Sequence, residues 1–185
     1  MNKKIYLASK SPRRQELLKL MGLEYTLYLK DVDESYPEDL TSDLVAEFIA
    51  KKKLADFEVP ADGILITADT IVVLGEEILG KPTDEQDAFE MIRKLSGKKH
   101  LVITGVCMKS IDKEISFSEI TEVYFKELSD EQISFYVSTY QPLDKAGAYG
   151  IQEWVGLVGI ERINGSYTNV VGLPTEKMYS ALATF

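Results

Sequence analysis

KIYLASKSPRRQELLKLMG, residues 4–22, decides the fold. KIYLAS reads as a short buried strand. Ser11 suits a helix N-cap, Pro12 the first helical position, and Gly22 a C-terminal stop. A strand that runs through so short a turn into a helix is the opening of an α/β unit. The first turn of that helix carries Arg13 and Arg14, although its unpaired N–H groups and dipole favour negative charge. The arginines therefore imply an anion that the local sequence does not supply.

Working outward, EYTLYLK (24–30) reads as a second strand, and DVDESYPEDLTSD (31–43) as an acidic loop ahead of the helical LVAEFIAKKKLADF (44–57). GILITADTIVVLG (63–75) is a long β-rich run with GEE as a turn. Thr83 and Gln86 form a capping-box pattern before a helix with Gly97 beyond its end. Two strands flank the Asp112–Lys113 turn, Ser129 and Gln132 repeat the capping box, and a last helix follows Pro174. The alternation predicts an α/β fold with a mixed twisted sheet flanked by helices. No repeat, low-complexity tract or firm boundary divides the chain, so residues 1–185 read as one domain or two small lobes, with an active-site cleft between the lobes in the second case.

The 185 residues are 45% hydrophobic, enough for an ordinary core, and carry a formal charge of −9, which opposes broad nucleic-acid binding. Cys107 is the only cysteine, so no intrachain disulfide forms, and a reducing cytoplasm is the simple location. No run approaches ~18 apolar residues, and neither a signal peptide nor a membrane span is read.

Several residues bear chemistry. Around Ser9–Arg14, strand-to-helix geometry would aim backbone N–H groups, the Ser9 and Ser11 hydroxyls and two guanidiniums at one point, which suits a polyphosphate. The alternative is that the arginines are solvated or paired with Glu16 or the acidic loop. Asp69 is an ionised carboxylate in an apolar strand and needs a partner; its flanks place it at or near a strand end, where α/β proteins build sites. A purely structural Asp is the alternative. In the 44–57 helix, Val45, Phe48 and Ile49 centre a face near Lys52, so periodicity turns Lys52 inward and leaves Lys53 on the flank. Lys81, between Gly80 and Pro82, is either a ligand or a solvated turn lysine. His100, the only histidine, and Cys107 read as core residues.

LASKSPRRQELL, TADTIVVLGEEILGKP, LSGKKH, PLDKAGAYGIQ and NVVGLP, in this order, resemble the Maf proteins nearly end to end. That family takes its name from septum-formation inhibition in bacteria. The resemblance implies a fold similar to that of the inosine triphosphate pyrophosphatases. The implied activity is hydrolysis of a nucleoside triphosphate to monophosphate and pyrophosphate with a divalent metal, Mg²⁺ or Mn²⁺. It further implies Asp69 as proton acceptor for the attacking water and Ser9, Ser11, Arg13, Arg14, Lys53 and Lys81 as substrate ligands. The family's A-x-x-K pattern, Ala50 to Lys53, thus prefers Lys53 to Lys52. Arg13, Thr70 and Gln152 resemble the selectivity set of the branch acting on dTTP and UTP, away from 7-methyl-GTP. Glu34 and Asp69 are the candidate metal ligands. A homodimer is expected, with no nucleic-acid or membrane partner. Two positions depart from the family: Lys10, which adds charge at the turn, and Glu153–Trp154 after GIQ, where a bulky Trp154 could narrow the base pocket. A nucleotide-sensing regulator of division acting through a protein partner is the rival class, and cleavage at the γ-phosphate the rival reaction.

Overall fold

The computed structural model describes residues 3–185. Strands β1 (Lys4–Leu7), β2 (Tyr25–Leu27), β3 (Gly63–Leu74), β4 (Glu77–Leu79), β5 (Lys99–Lys109), β6 (Glu114–Phe125) and β7 (Ile160–Asn164) are hydrogen-bonded in the order β2-β1-β3-β5-β6-β7, with β4 beside β3. The sheet is mixed, as expected: β1 pairs in parallel with β2 and β3, whereas β3–β4 and β6–β7 are antiparallel. Helices α1 (Pro12–Leu20), α2 (Ser42–Ala55), α3 (Glu85–Leu95), α4 (Asp130–Tyr140), α5 (Trp154–Val158), α6 (Tyr167–Val171) and α7 (Thr175–Leu182) complete the chain. Among the described residues, no helix is long and apolar enough to cross a membrane.

The chain divides into two compact units. The first holds residues up to Thr70, Thr104–Glu119 and Gly172–Phe185. Its local grammar is the one the sequence spells: Ser11 is the N-cap of α1, Pro12 opens it, and Gly22 takes φ +71° beyond it. Successive crossovers through α1 and α2 bring β2 and then β3 alongside β1, both in parallel. Helix α2 buries Val45, Ala46, Ile49, Ala50, Lys53 and Leu54, an i, i+1, i+4 stripe. Its approach to β5 is close because position 105 is glycine: a Cβ there would lie 2.3 Å from the Ala46 backbone. Ala50 and Leu54 then pack with Ala8, Leu65 and Cys107.

The second unit holds Ile71–Ile103 and Ile120–Val171. Ala88, Ile92 and Leu95 of α3 and Ile133, Tyr136 and Val137 of α4 bury against Val72, Val102, Val123 and Phe125. The Ser129–Gln132 capping box forms as expected. The other does not: the N-cap of α3 is Asp84, whose side chain accepts from Asp87 N–H, while Asp87 Oδ2 accepts from Thr83 N–H and Oγ1. An aspartate one position later competes better for the N-terminal amides than the Thr83 hydroxyl, and Gln86 instead donates to Glu90. The sequence pattern does not show the short strand β4, because EIL begins on Glu77, the last residue of the expected GEE turn, and is too brief to show a period. His100 and Cys107 are core residues. His100 Nε2 lies 2.7 Å from the Tyr149 hydroxyl, and burial lowers its pKa to about 4. Burial pushes the Cys107 thiol up to about 12.

Candidate active site

The first unit gathers its candidate residues after the carboxyl ends of β1 and β2 and beside the point where the parallel pairing of β3 with β1 ends, the side on which open α/β sheets build sites. Ser9–Arg14 follow β1, Glu34 lies in the loop after β2, and Asp69 and Thr70 stand just past the last β1–β3 pair, Leu7 with Ile66. Asp69 is therefore not at the end of its strand, which continues to Leu74; it is where the parallel pairing with β1 ends and β3 goes on to pair with β4. The apolar run had no way to mark that change of neighbour.

Lys53 binds the two acidic candidates together. Its Nζ lies 2.7 Å from Asp69 Oδ1 and 2.7 Å from Glu34 Oε1, so the two carboxylate oxygens are within twice that distance of each other. Lys53 is 7% exposed. Periodicity pointed to Lys52 because Phe48 was counted as part of the buried face; Phe48 is exposed, and the small Ala46 and Ala50 define the face that meets β5. Lys52 instead donates to Asp33 Oδ2 at 2.7 Å and to Ser35 O and Oγ at 2.8 Å, and its bond to Asp33, with those that Ser35 N–H and Oγ donate to the same carboxylate, holds the Asp33 carboxyl well below its usual range. The acidic loop is thus fixed on both sides of Glu34, with Lys10, the departure at the β1–α1 turn, paired to Asp31.

Arg14 answers half of the charge puzzle in the first helical turn. Its guanidinium is 9% exposed and donates to Gly172 O (2.8 Å), Ala68 O (2.9 Å), Ser9 Oγ (3.2 Å) and Thr70 Oγ1 (2.9 Å). Four of five N–H groups are used, so Arg14 is first of all a bolt joining the β1–α1 turn, β3 and the 172 segment. Burial pushes its pKa down, and the charges of Asp69 and Glu34 oppose that shift. Gly172 offers its carbonyl at φ +120°, a backbone conformation that favours glycine, which accounts for the glycine of NVVGLP. The hydroxyls are also partly committed. Ser9 Oγ accepts from Ser11 N–H (3.3 Å) as well as from Arg14, Ser11 Oγ caps Arg14 N–H at a long 3.5 Å, and Thr70 Oγ1 lies 2.9 Å from Thr104 Oγ1. Arg13, on the same turn, is half-buried.

Lys81 and Gln152 belong to the second unit. Both are exposed. The backbone next to Lys81 is fixed by Gly147 N–H donating to Gly80 O at 3.0 Å, which joins the GKP and DKAGAYG motifs. Sequence reasoning missed Lys145 here, a lysine 8% exposed that pairs with Asp144 and Glu153. The small residues that follow it, Ala146, Gly147 and Ala148, were the available signal of a crowded setting.

A family model described as Maf-like protein matches residues 4–185. The chain belongs to the Maf family. A dTTP/UTP pyrophosphatase of Flavobacterium psychrophilum is 51% identical over 180 residues, covering 96% of this Maf chain and 92% of its own. One of Bacteroides fragilis is 50% identical over 182 residues, with 97% and 94% covered. Among solved structures, a HAM1 protein from Coxiella burnetii aligns with a TM-score of 0.53 at 13% identity, covering 99% of this chain and all of its own, a likeness of fold alone.

For a divalent metal, the Maf chain offers an oxygen-only pair. Among the described residues no group of three or more His, Cys, Asp or Glu is arranged for a metal. Glu34 and Asp69, converging on one cation already, fit a hard dication of the Mg²⁺ type, which commonly takes one or two carboxylates and completes its shell with phosphate and water.

Proposed function

We propose that the chain hydrolyses dTTP and UTP to the nucleoside monophosphate and pyrophosphate, modified pyrimidine nucleotides falling within the same chemistry. The observation that carries this reading is the Lys53 ammonium between Asp69 and Glu34, in a chain about half identical, over nearly its full length, to relatives named for that activity. Relatives so named do not favour a regulator for which hydrolysis is incidental.

In this reading Asp69 takes the proton of a water that attacks the α-phosphorus in line, and the bond to the bridging oxygen breaks to release pyrophosphate. Lys53 occupies Oδ1 of Asp69, so Oδ2 is the oxygen assigned to the water. Arg13, the first-turn amides of α1, the remaining N–H of Arg14, and the Ser9 and Ser11 hydroxyls receive phosphate oxygens, supplying charge that is already oriented before the reaction. Lys81 as a phosphate ligand and Gln152 as the reader of the base edge rest on the sequence resemblance; an amide presents one donor and one acceptor face, as a pyrimidine edge requires. Thr70 and Arg13 complete the selectivity set. Glu34 and Asp69 would hold Mg²⁺ or Mn²⁺, which when bound neutralises charge on the phosphoryl oxygens. A dication beside Asp69 lowers its basicity, so Glu34 is the better placed of the two to serve as principal ligand. The composition suits the cytoplasm, and a homodimer is the assembly to test by light scattering.

The test is to incubate the purified protein with Mg²⁺ and dTTP, UTP, CTP, GTP, ATP or 7-methyl-GTP, separating the nucleotides and assaying pyrophosphate. Monophosphate and pyrophosphate, chiefly from dTTP and UTP, are expected. Orthophosphate as the released product would overturn the reaction, and preference for another base the selectivity.

A further inference from the structure

Glu153 stands where the sequence departs from its resemblance, and the second unit gives it a use. Glu153 Oε1 accepts from Lys145 Nζ at 3.0 Å, and Oε2 accepts a short hydrogen bond from the Tyr136 hydroxyl. The same hydroxyl accepts from Gly150 N–H at 3.0 Å, and Glu153 N–H donates to Gly150 O at 3.0 Å. The result is a closed ring through Tyr136, Gly150 and Glu153, with Lys145 bonded to it at the Glu153 carboxylate. It is tight: a Cβ at position 150 would lie 2.9 Å from Glu153 Cδ and 3.1 Å from Lys145 Cε, so a larger residue there would displace the two side chains that pair with each other. Tyr136 is fully buried, and burial raises its pKa, which keeps the phenol protonated and able to donate.

Gln152 is the residue this ring leaves outside. Gly150 and Glu153 are hydrogen-bonded into it and Ile151 is buried, whereas Gln152 is exposed between two anchored neighbours. We propose that Glu153 is a positioning residue for base selection: through Tyr136 and Lys145 it fixes the backbone that presents Gln152. This rests on the reading of Gln152 as the base-edge contact. The physical reason is that an exposed amide discriminates between bases only when its donor and acceptor are held in one orientation; a mobile backbone lets it satisfy several edges.

The test compares kcat and KM for dTTP, UTP and CTP in the wild type, Glu153→Ala, Tyr136→Phe, Gln152→Ala and the Glu153→Ala/Gln152→Ala double variant. Tyr136→Phe removes a single oxygen and decides the matter if Glu153→Ala fails to fold. Each single variant is expected to lower the ratio of kcat/KM for dTTP over CTP by about tenfold, the worth of one oriented hydrogen bond. The loss should fall chiefly in the KM for dTTP, and the double variant should lose no more than Gln152→Ala. A uniform fall for all three nucleotides would mean a merely structural ring and overturn the proposal. So would wild-type preference in folded Tyr136→Phe while Gln152→Ala loses it. Wild-type preference in Gln152→Ala removes the base-edge reading itself and the positioning role with it.

Discussion

Lys53 Nζ lies 2.7 Å from Asp69 Oδ1, the two side chains 9% and 13% exposed. An ammonium this close stabilises the carboxylate's charge and aligns it, and a nearly dry setting makes the contact stronger than on the surface. Asp69→Asn keeps the shape and removes the base. Turnover of dTTP should fall by about a thousandfold, within the usual worth of a positioned general base. Nucleotide binding, followed by calorimetry with a non-hydrolysable analogue, should persist. Near-normal turnover would take Asp69 out of the chemical step.

Lysines 52 and 53 are adjacent and should respond differently. Lys53→Met leaves Asp69 and Glu34 facing each other without their shared cation and should abolish turnover. Lys52→Met only releases Asp33 and Ser35, so turnover should survive with the Mg²⁺ concentration for half-maximal rate raised by about threefold, a modest effect suited to exposed ion pairs. A Mg²⁺ titration of both variants checks this, and equal losses would contradict the two roles.

Arg14→Met strips donors from Gly172 O and Ala68 O in a buried setting. A loss of about 3 kcal/mol in unfolding free energy is expected, with activity falling alongside. Arg14→Lys should recover little of it, because a lysine lacks the planar fork that spans these oxygens. Urea unfolding measures both.

Gly105→Ala should push α2 away from β5, since its Cβ would meet backbone and not a flexible side-chain end. A destabilisation of about 1–3 kcal/mol is expected from overpacking. Because α2 carries Lys53, kcat should drop as well. Unchanged kcat in the folded variant would show that the helix contact does not set the lysine.

His100 gives the pH dependence a sign. Burial lowers its folded pKa to about 4 from an ordinary 6.5, so the unfolded chain binds the proton first as pH falls. Its contribution is present above pH 6.5 and is lost progressively toward pH 4. Between pH 7 and 4.5 wild-type stability should fall by about 2 kcal/mol more than that of His100→Gln, which carries no titrating ring. Parallel urea midpoints at the two pH values test it.

The local structure of α1 was fully legible. Ser11, Pro12 and Gly22 act on backbone groups within a few residues, and such contacts need no knowledge of the rest of the chain. The same holds for the Ser129–Gln132 box. It failed at Thr83 because two neighbouring residues compete for the same amides, and a single-pattern reading does not rank them. The candidate residues were legible as types: an aspartate in an apolar strand, arginines at a helix N-terminus, a lysine run on a helix.

The sequence by itself determined the α/β class, the starts and stops of its best-capped helices, and the family, because each is encoded in short-range pattern or in motifs spread nearly end to end along the chain. Tertiary structure alone decided which lysine turns inward, what Arg14 bonds to, and where along β3 the site falls. Those outcomes depend on Gly105 admitting Ala46, on the carbonyls of Ala68 and Gly172, and on β1 ending opposite Ile66. Each pairs residues tens of positions apart, and no periodicity within one segment carries information about its distant neighbour.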